Sequence, residues 1–207
     1  MAQIPDTGGI VLCGGKSTRM GRPKAWLPFG DEPMLPHVVR ILSEVVSPIV
    51  VVAAKEQELP LLPADVLVVR DEYDALGPLA GLAAGLAVLR GKAAAAYASS
   101  CDVPLLKPEF VRYITELLGE YDMVIPRDGK FHHPLAAVYR TKIEADMRAL
   151  IDENRLRPFF LLERVCAREV DVAELRHVDP ELQSLLNVNT PEEYSAALNM
   201  VGLSSAS

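Results

Sequence analysis

Short apolar runs alternate with segments of helical character along this chain, and no other feature constrains its fold as strongly. Residues 9–12, 48–53 (PIVVVA), 66–69 and 94–99 carry the runs and read as strands. Between them, residues 34–46 place apolar side chains at 34, 35, 38, 39, 41, 42, 45 and 46. That spacing makes one broad helical stripe, with Pro36 acceptable only in its first turn. Residues 78–89 are rich in glycine and alanine and predict a helix able to pack closely on a sheet. Pro108 opens a further helix that buries Phe110, Val111, Ile114, Leu117 and Leu118. Such alternation is the signature of a mainly parallel sheet covered by helices.

The last third is less regular. Strands are expected at 123–125 and 135–139, the second antiparallel after a His133-Pro134 turn, helices at 142–151 and 158–164, and a short strand at 169–172. Thr190-Pro191-Glu192-Glu193 predicts a capped helix start: Thr190 caps, proline takes the first helical position and Glu193 completes a capping box. The expected fold class is α/β, a three-layer sandwich with a mainly parallel, Rossmann-like sheet and helices on both faces. Residues 1–201 are expected to form a single domain, with 202–207 (GLSSAS) a disordered tail.

The 207 residues suffice for one large α/β domain. A formal charge of −7 and a pI of about 5.2 exclude a nucleic-acid polymer or an anionic membrane as the expected partner. Cys13, Cys101 and Cys166 are widely spaced and form no C-x-x-C pair, which argues for a reducing compartment without a disulfide framework or zinc site. Cys101 and Cys166 read as buried packing residues. MAQIPDTGG lacks the basic start and apolar core of a signal peptide. The uncharged stretch 75–89 is broken by Gly77, Pro78, Gly81 and Gly85 and falls short of the roughly 20 residues that span a bilayer. A cytoplasmic location is expected.

Against this acidic background, VLCGGKSTRMGRPK at 11–24 stands apart. No acidic residue occurs from Thr7 to Gly30, while Lys16, Arg19, Arg22 and Lys24 fall within nine positions. G-G-K-S suggests a P-loop, but the glycine required five residues before Gly15 is Ile10. The glycines Gly14, Gly15 and Gly21 contain no G-x-G, so the dinucleotide fingerprint fails too. A cationic, glycine-rich turn in an acidic chain points to a small anionic ligand. In an open parallel sheet, ligands sit beyond the carboxyl ends of the strands. There this chain places Cys13-Gly14-Gly15, Arg70-Asp71 and Cys101-Asp102. Glycine amides can approach phosphates, cations can neutralise them, and one or two carboxylates can hold a magnesium ion. Lys24 has no acid near it in sequence, which leaves its charge for a ligand.

L-C-G-G-K-S-T-R-M-G-R-P-K resembles the L-A-G-G-x-S-x-R-M-G-x-x-K signature of nucleotidyltransferases with a glycosyltransferase-A-like fold, a nucleotide-diphospho-sugar transferase-like architecture. With G-P-L-A-G at 77–81, C-D-V-P at 101–104, H-P-L at 133–135 and N-V-N-T-P at 187–191, the chain looks most like the molybdenum cofactor guanylyltransferases over residues 8–200. The resemblance implies transfer of GMP from Mg-GTP to molybdopterin with release of pyrophosphate. It implies that Leu12, Cys13, Gly14 and Gly15 hold guanine and triphosphate and that Asp71 contacts the nucleotide. Arg19 and Lys24 would stabilise phosphate charge, and Asp102 would bind Mg2+ and nucleotide. Gly81, His133, Arg155, Arg157, Asn187 and Asn189 are the expected substrate-binding residues; the two asparagines would face molybdopterin or the metal, and the two arginines would bind the substrate's phosphate or cover a helix with their stems. Cys13 replaces the usual alanine, and Ala53 or Ala54 stands where relatives often carry an asparagine.

The expected partners are GTP and molybdopterin, with transient contact to other cofactor-biosynthesis proteins or molybdoenzymes. Two other readings stay open. One is the same chemistry with another pair, a cytidylyltransferase acting on molybdopterin or a sugar-phosphate nucleotidyltransferase. The other is a non-catalytic nucleotide-binding regulatory protein.

Overall fold

The computed structural model describes residues 3–14, 22–71 and 76–203. In chain order, β1 (Thr7–Leu12) leads to a small hairpin of β2 (Pro28–Phe29) and β3 (Glu32–Pro33), then α1 (Met34–Ser43), β4 (Ile49–Ala54) and β5 (Leu67–Asp71). Next come α2 (Pro78–Leu89), β6 (Ala95–Ser100), α3 (Pro108–Glu116), β7 (Met123–Asp128), β8 (Phe131–His132) and β9 (Ala136–Arg140). The last elements are α4 (Glu144–Asp152), β10 (Ala167–Asp171), α5 (Val172–Leu175) and α6 (Pro191–Met200).

The main sheet runs in the order β10-β7-β9-β6-β1-β4-β5, with β8 added to β7. β1 lies between β4 and β6 and is parallel to both, and β4 is parallel to β5. β9 runs against its two neighbours, β6 and β7, as the turn at His133-Pro134 predicts. Successive side chains of a strand point to opposite faces. Val11 and Val51 therefore join Leu35, Val38 and Leu42 of α1 and Phe110 and Ile114 of α3 in one core. Ile10, Val50 and Val52 join Leu79, Leu82 and Leu86 of α2 and Met147 and Leu150 of α4 in the other. These two cores make the three layers, and the expected fold class holds. The glycines of α2 let it lie close: a Cβ on Gly85 would come within 2.8 Å of Ile10 Cγ2.

A third, smaller core decides where the functional residues go. Leu27, Phe29, Met34, Leu105, Val188 and Leu198 pack together, and Leu203 packs against them. This cluster ties the segment before α1, the residues leading into α6 and the second half of α6 to the loop after β6, so that motifs far apart in sequence meet. The predicted capping box forms. The Thr190 side chain accepts from the Glu193 N–H at 3.2 Å, and Glu193 Oε2 accepts from the Thr190 N–H at 3.1 Å.

Several boundaries differ. The helix expected over 34–46 ends at Ser43, and Val45 and Val46 are buried by the turn that follows. Residues 158–164 form 3-10 turns over Pro158–Glu163, a connector that buries Leu161. β2, β3 and β8 span two residues each, too few to leave a periodic signal. Cys166 is exposed rather than buried, because it enters β10 at the rim of the sheet. Among the described residues, no helix is long and apolar enough to cross a membrane.

Candidate active site

Because β1, β4, β5 and β6 are parallel, their carboxyl ends share one edge of the sheet. Cys13-Gly14, Ala54, Asp71 and Cys101-Asp102 are brought there together, as the strand pattern predicts. Gly15 and Arg19 lie outside the described residues.

Asp102 is the hub. Its side chain is 9% exposed. Oδ2 accepts from Lys24 Nζ at 2.6 Å and Oδ1 from Asn187 Nδ2 at 2.7 Å, while its carbonyl accepts from the Val188 N–H at 2.8 Å. Lys24 Nζ also donates to Asn189 Oδ1 at 2.8 Å. Lys24, Asp102, Asn187 and Asn189 thus form one group drawn from three motifs. The expectation that Lys24 stands without an acid is corrected here: its partner lies 78 residues away in sequence, brought to it by the fold.

Beside the hub, Cys13 and Cys101 are buried with their thiols in hydrogen-bonding contact. The bond from Cys101 lowers the Cys13 thiol, against burial and with help from Gln57. The same bond, followed by burial, raises Cys101. Gln57 also closes the other side of β1, donating to the Cys13 carbonyl at 2.9 Å and accepting from the Ala54 N–H at 3.1 Å. Arg70 holds that turn from β5, donating to the carbonyls of Gln57 at 2.6 Å and Ala54 at 3.2 Å.

Asp71 is buried at the end of β5, next to Leu12 and the first turn of α2. A Cβ on Gly81 would lie 3.1 Å from Leu12 Cδ2 and 3.6 Å from Asp71 Oδ2. Gly81 is therefore an interior residue whose missing side chain lets α2 reach the strand ends. A cleft of about 430 Å³ opens beside Asp71, lined by Arg70, Ala80, Ala83, Arg148 and Ile151 among others.

On the other flank, a cleft of about 200 Å³ runs from His132, His133 and Pro134 past Val103 to Asn187, and so reaches the hub. Burial lowers the His133 pKa, with Asp128 opposing and His132 assisting, so the ring is neutral at neutral pH. The buried Tyr139 hydroxyl fixes this wall by donating to the Pro134 carbonyl at 2.8 Å. Arg155 is engaged elsewhere: it pairs with Glu163 at 2.5 Å and lies 4.0 Å over the Phe160 ring. Arg157 is exposed at the start of the 3-10 turns.

The chain has relatives among known proteins. A family model described as a MobA-like NTP transferase domain matches residues 9–169. The chain belongs to that family. It is 38% identical over 200 residues to a probable molybdenum cofactor guanylyltransferase of Mycobacterium tuberculosis (strain ATCC 25618 / H37Rv), covering 92% of this chain and 94% of the relative. A protein of the same description from Mycobacterium avium (strain 104) is 37% identical over 202 residues, covering 95% and 97%. Among solved structures, molybdopterin-guanine dinucleotide biosynthesis protein A from Archaeoglobus fulgidus superposes with a TM-score of 0.76 at 23% identity, covering 94% of this chain and 98% of that one. The 4-diphosphocytidyl-2C-methyl-D-erythritol synthase of Anaerococcus prevotii DSM 20548 gives 0.67 at 13% identity, covering 94% and 97%. A cytidylyl enzyme shares the fold, so the fold alone does not choose the base.

For a MobA-like NTP transferase domain, the hub suits a hard divalent cation. Among the described residues no three His, Cys, Asp or Glu side chains converge into an all-protein cage. The Asp102 carboxylate with the carboxamide oxygen of Asn189, both bonded to Lys24, offers the sparse oxygen set that magnesium takes when substrate phosphates complete its shell. Sequence reasoning missed Gln57 and Tyr139, each of which acts on backbone rather than on a ligand, and placed Arg70 at the strand ends without its backbone role. Gln57 had a local signal: a carboxamide in a turn three residues past a strand end is placed to bond backbone groups.

Proposed function

We propose that this protein transfers GMP from Mg-GTP to molybdopterin and releases pyrophosphate. The observation that carries the reading is the meeting of Lys24, Asp102, Asn187 and Asn189 at the carboxyl edge of the sheet. The family and the named relatives support the guanylyl assignment over the cytidylyl and sugar-phosphate alternatives.

In this reading a terminal phosphate oxygen of molybdopterin attacks the α-phosphate of GTP. One P–O bond forms, the bond to the β-phosphate breaks, and its electron pair leaves with pyrophosphate. The nucleophile is already an anion, so no side chain need act as base. Neutral His133 fits this, serving as a hydrogen-bonding wall of the acceptor cleft. Asp102, with Asn189 beside it and Asn187 orienting its carboxylate, would hold magnesium, which would supply positive charge to the phosphates. Lys24 turns from Asp102 to the phosphates when nucleotide arrives, and the amides of Gly14 and Gly15 with Arg19 add donors. Leu12 and Asp71 flank the nucleotide. Catalysis is positioning and charge neutralisation. The reaction belongs to the cytoplasm, where three free cysteines are at home and molybdoenzymes or their assembly partners could receive the product.

The test is pyrophosphate release with GTP, ATP and CTP, each with and without molybdopterin. Release that needs both GTP and molybdopterin is expected. A CTP requirement would sink the guanylyl reading alone. GTP binding without release would favour a regulatory nucleotide-binding protein.

A further inference from the structure

Gln57 occupies an unusual place in the sheet. In a parallel ladder the N–H of one residue bonds the neighbouring strand, and its own C=O then accepts from the residue two positions further along that strand. Between β1 and β4 the first bond is present: the Cys13 N–H donates to Val52 O at 2.8 Å. The next would run from the Ala54 N–H to Cys13 O. Instead the Gln57 carboxamide stands between them, accepting from Ala54 and donating to Cys13. The two strand ends are linked through this side chain.

The orientation of the next peptide follows. The Cys13–Gly14 bond is trans, so the Gly14 N–H points opposite to the Cys13 C=O. Gln57 draws the carbonyl toward the β4 side. The Gly14 N–H is therefore turned toward β6, on whose end Asp102 and its partner Lys24 sit. A glycine at 14 could rotate this peptide at little steric cost, so something must hold it. Gly14 is exposed, and a Cβ there would meet Ala54 N only at 3.8 Å, so packing does not.

We propose that Gln57 is a positioning residue that locks the Cys13–Gly14 peptide with its N–H facing the triphosphate, an inference that rests on the guanylyl-transfer reading. Arg70 supports it from behind by holding the Gln57 and Ala54 carbonyls.

Gln57→Met keeps side-chain length but neither donates nor accepts. It should weaken Mg-GTP binding by about tenfold or more, the worth of one amide hydrogen bond to a charged group. Guanosine, which has no phosphate, should bind the variant and parent alike. Trp26→Phe is the control: it removes the 3.1 Å bond from Trp26 Nε1 to Glu58 O beside the same turn and leaves the Cys13–Gly14 peptide alone. Affinities come from calorimetry for Mg-GTP and from NMR titration for guanosine. Equal losses for GTP and guanosine, or no loss for GTP, would overturn the proposal. A second measurement needs no variant: in parent protein labelled with 15N-glycine, the Gly14 amide should shift on adding Mg-GTP and stay in place with guanosine. An unmoved Gly14 amide in protein that binds GTP overturns the role of Gln57 and spares guanylyl transfer; a parent that binds no triphosphate overturns both.

Discussion

Lys24→Met should tighten metal binding and slow turnover in the same protein, two effects of opposite sign. Both oxygens of Asp102 are engaged, Oδ2 by Lys24 at 2.6 Å and Oδ1 by Asn187 at 2.7 Å. A dication arriving alone must displace the ammonium, which gives up its bonds to Asp102 and Asn189. Hydrogen bonds to charged groups are worth about 1.5–3 kcal/mol each. The Lys24 side chain is 18% exposed and regains water on leaving, so the net cost is about 2 kcal/mol in all, or roughly thirtyfold in metal affinity. In Lys24→Met that cost is gone. Titrating Mn2+ into nucleotide-free protein, followed by calorimetry or by loss of the free-ion EPR signal, should show the variant binding roughly thirtyfold tighter than the parent by the same estimate. Pyrophosphate release should nevertheless fall by about a hundredfold, because a positioned donor to developing phosphate charge is missing. Equal or weaker Mn2+ binding by a folded variant would refute the competition between Lys24 and metal for Asp102.

Three further outcomes follow from single groups. Asp102→Asn should cut magnesium-dependent release at least about a hundredfold, since a carboxamide carries no charge for a hard dication; near-parental rates at saturating magnesium would remove Asp102 from the metal site. Tyr97→Phe should raise stability by about 1 kcal/mol in urea melts, because the fully buried Tyr97 hydroxyl has no hydrogen-bond partner among the described residues; a less stable variant would reveal an unseen partner. Asp179 is buried, and although burial raises its pKa, Lys107 and the Ser184 and Gln183 groups outweigh that and hold it below the usual carboxylate range. Its contribution is therefore present above the unfolded value of about 3.9 and lost as pH falls through the lower folded value. Asp179→Asn should cost about 3 kcal/mol at pH 7, and the gap from the parent should close below about pH 4; a gap independent of pH would refute the assignment.

The layers were legible because they rest on periodicity. PIVVVA can be buried on both faces only in a covered sheet, and the stripe of α1 has one side to hide. The run at 78–89 lacks a polar face altogether, and α2 occupies those positions at the strand ends. The capping box was readable because its bonds join neighbours in sequence. What escaped was short or tertiary. Two-residue strands have no period to detect, and Cys166 looked like a core residue only because its place at the rim of the sheet was not yet known.

The site shows where local reading stops. Asp102 was found as a carboxylate closing an apolar run, and Lys24 as a cation in a loop without acids. The step that failed was to treat that absence as freedom. A charge near the interior finds a partner wherever the fold supplies one, because leaving it unpaired there costs more than ordering the pair. Here the small third core supplies it, folding residues 24–29 and 187–190 onto the loop after β6. That pairing gives Lys24 a second role. Its bonds to Asp102 and Asn189 hold the hub together. In the proposed reaction, an arriving triphosphate would offer the same ammonium a more highly charged partner, and Asp102 would then be open to the metal that accompanies the nucleotide. One lysine can thus couple nucleotide arrival to metal capture without any movement of the sheet.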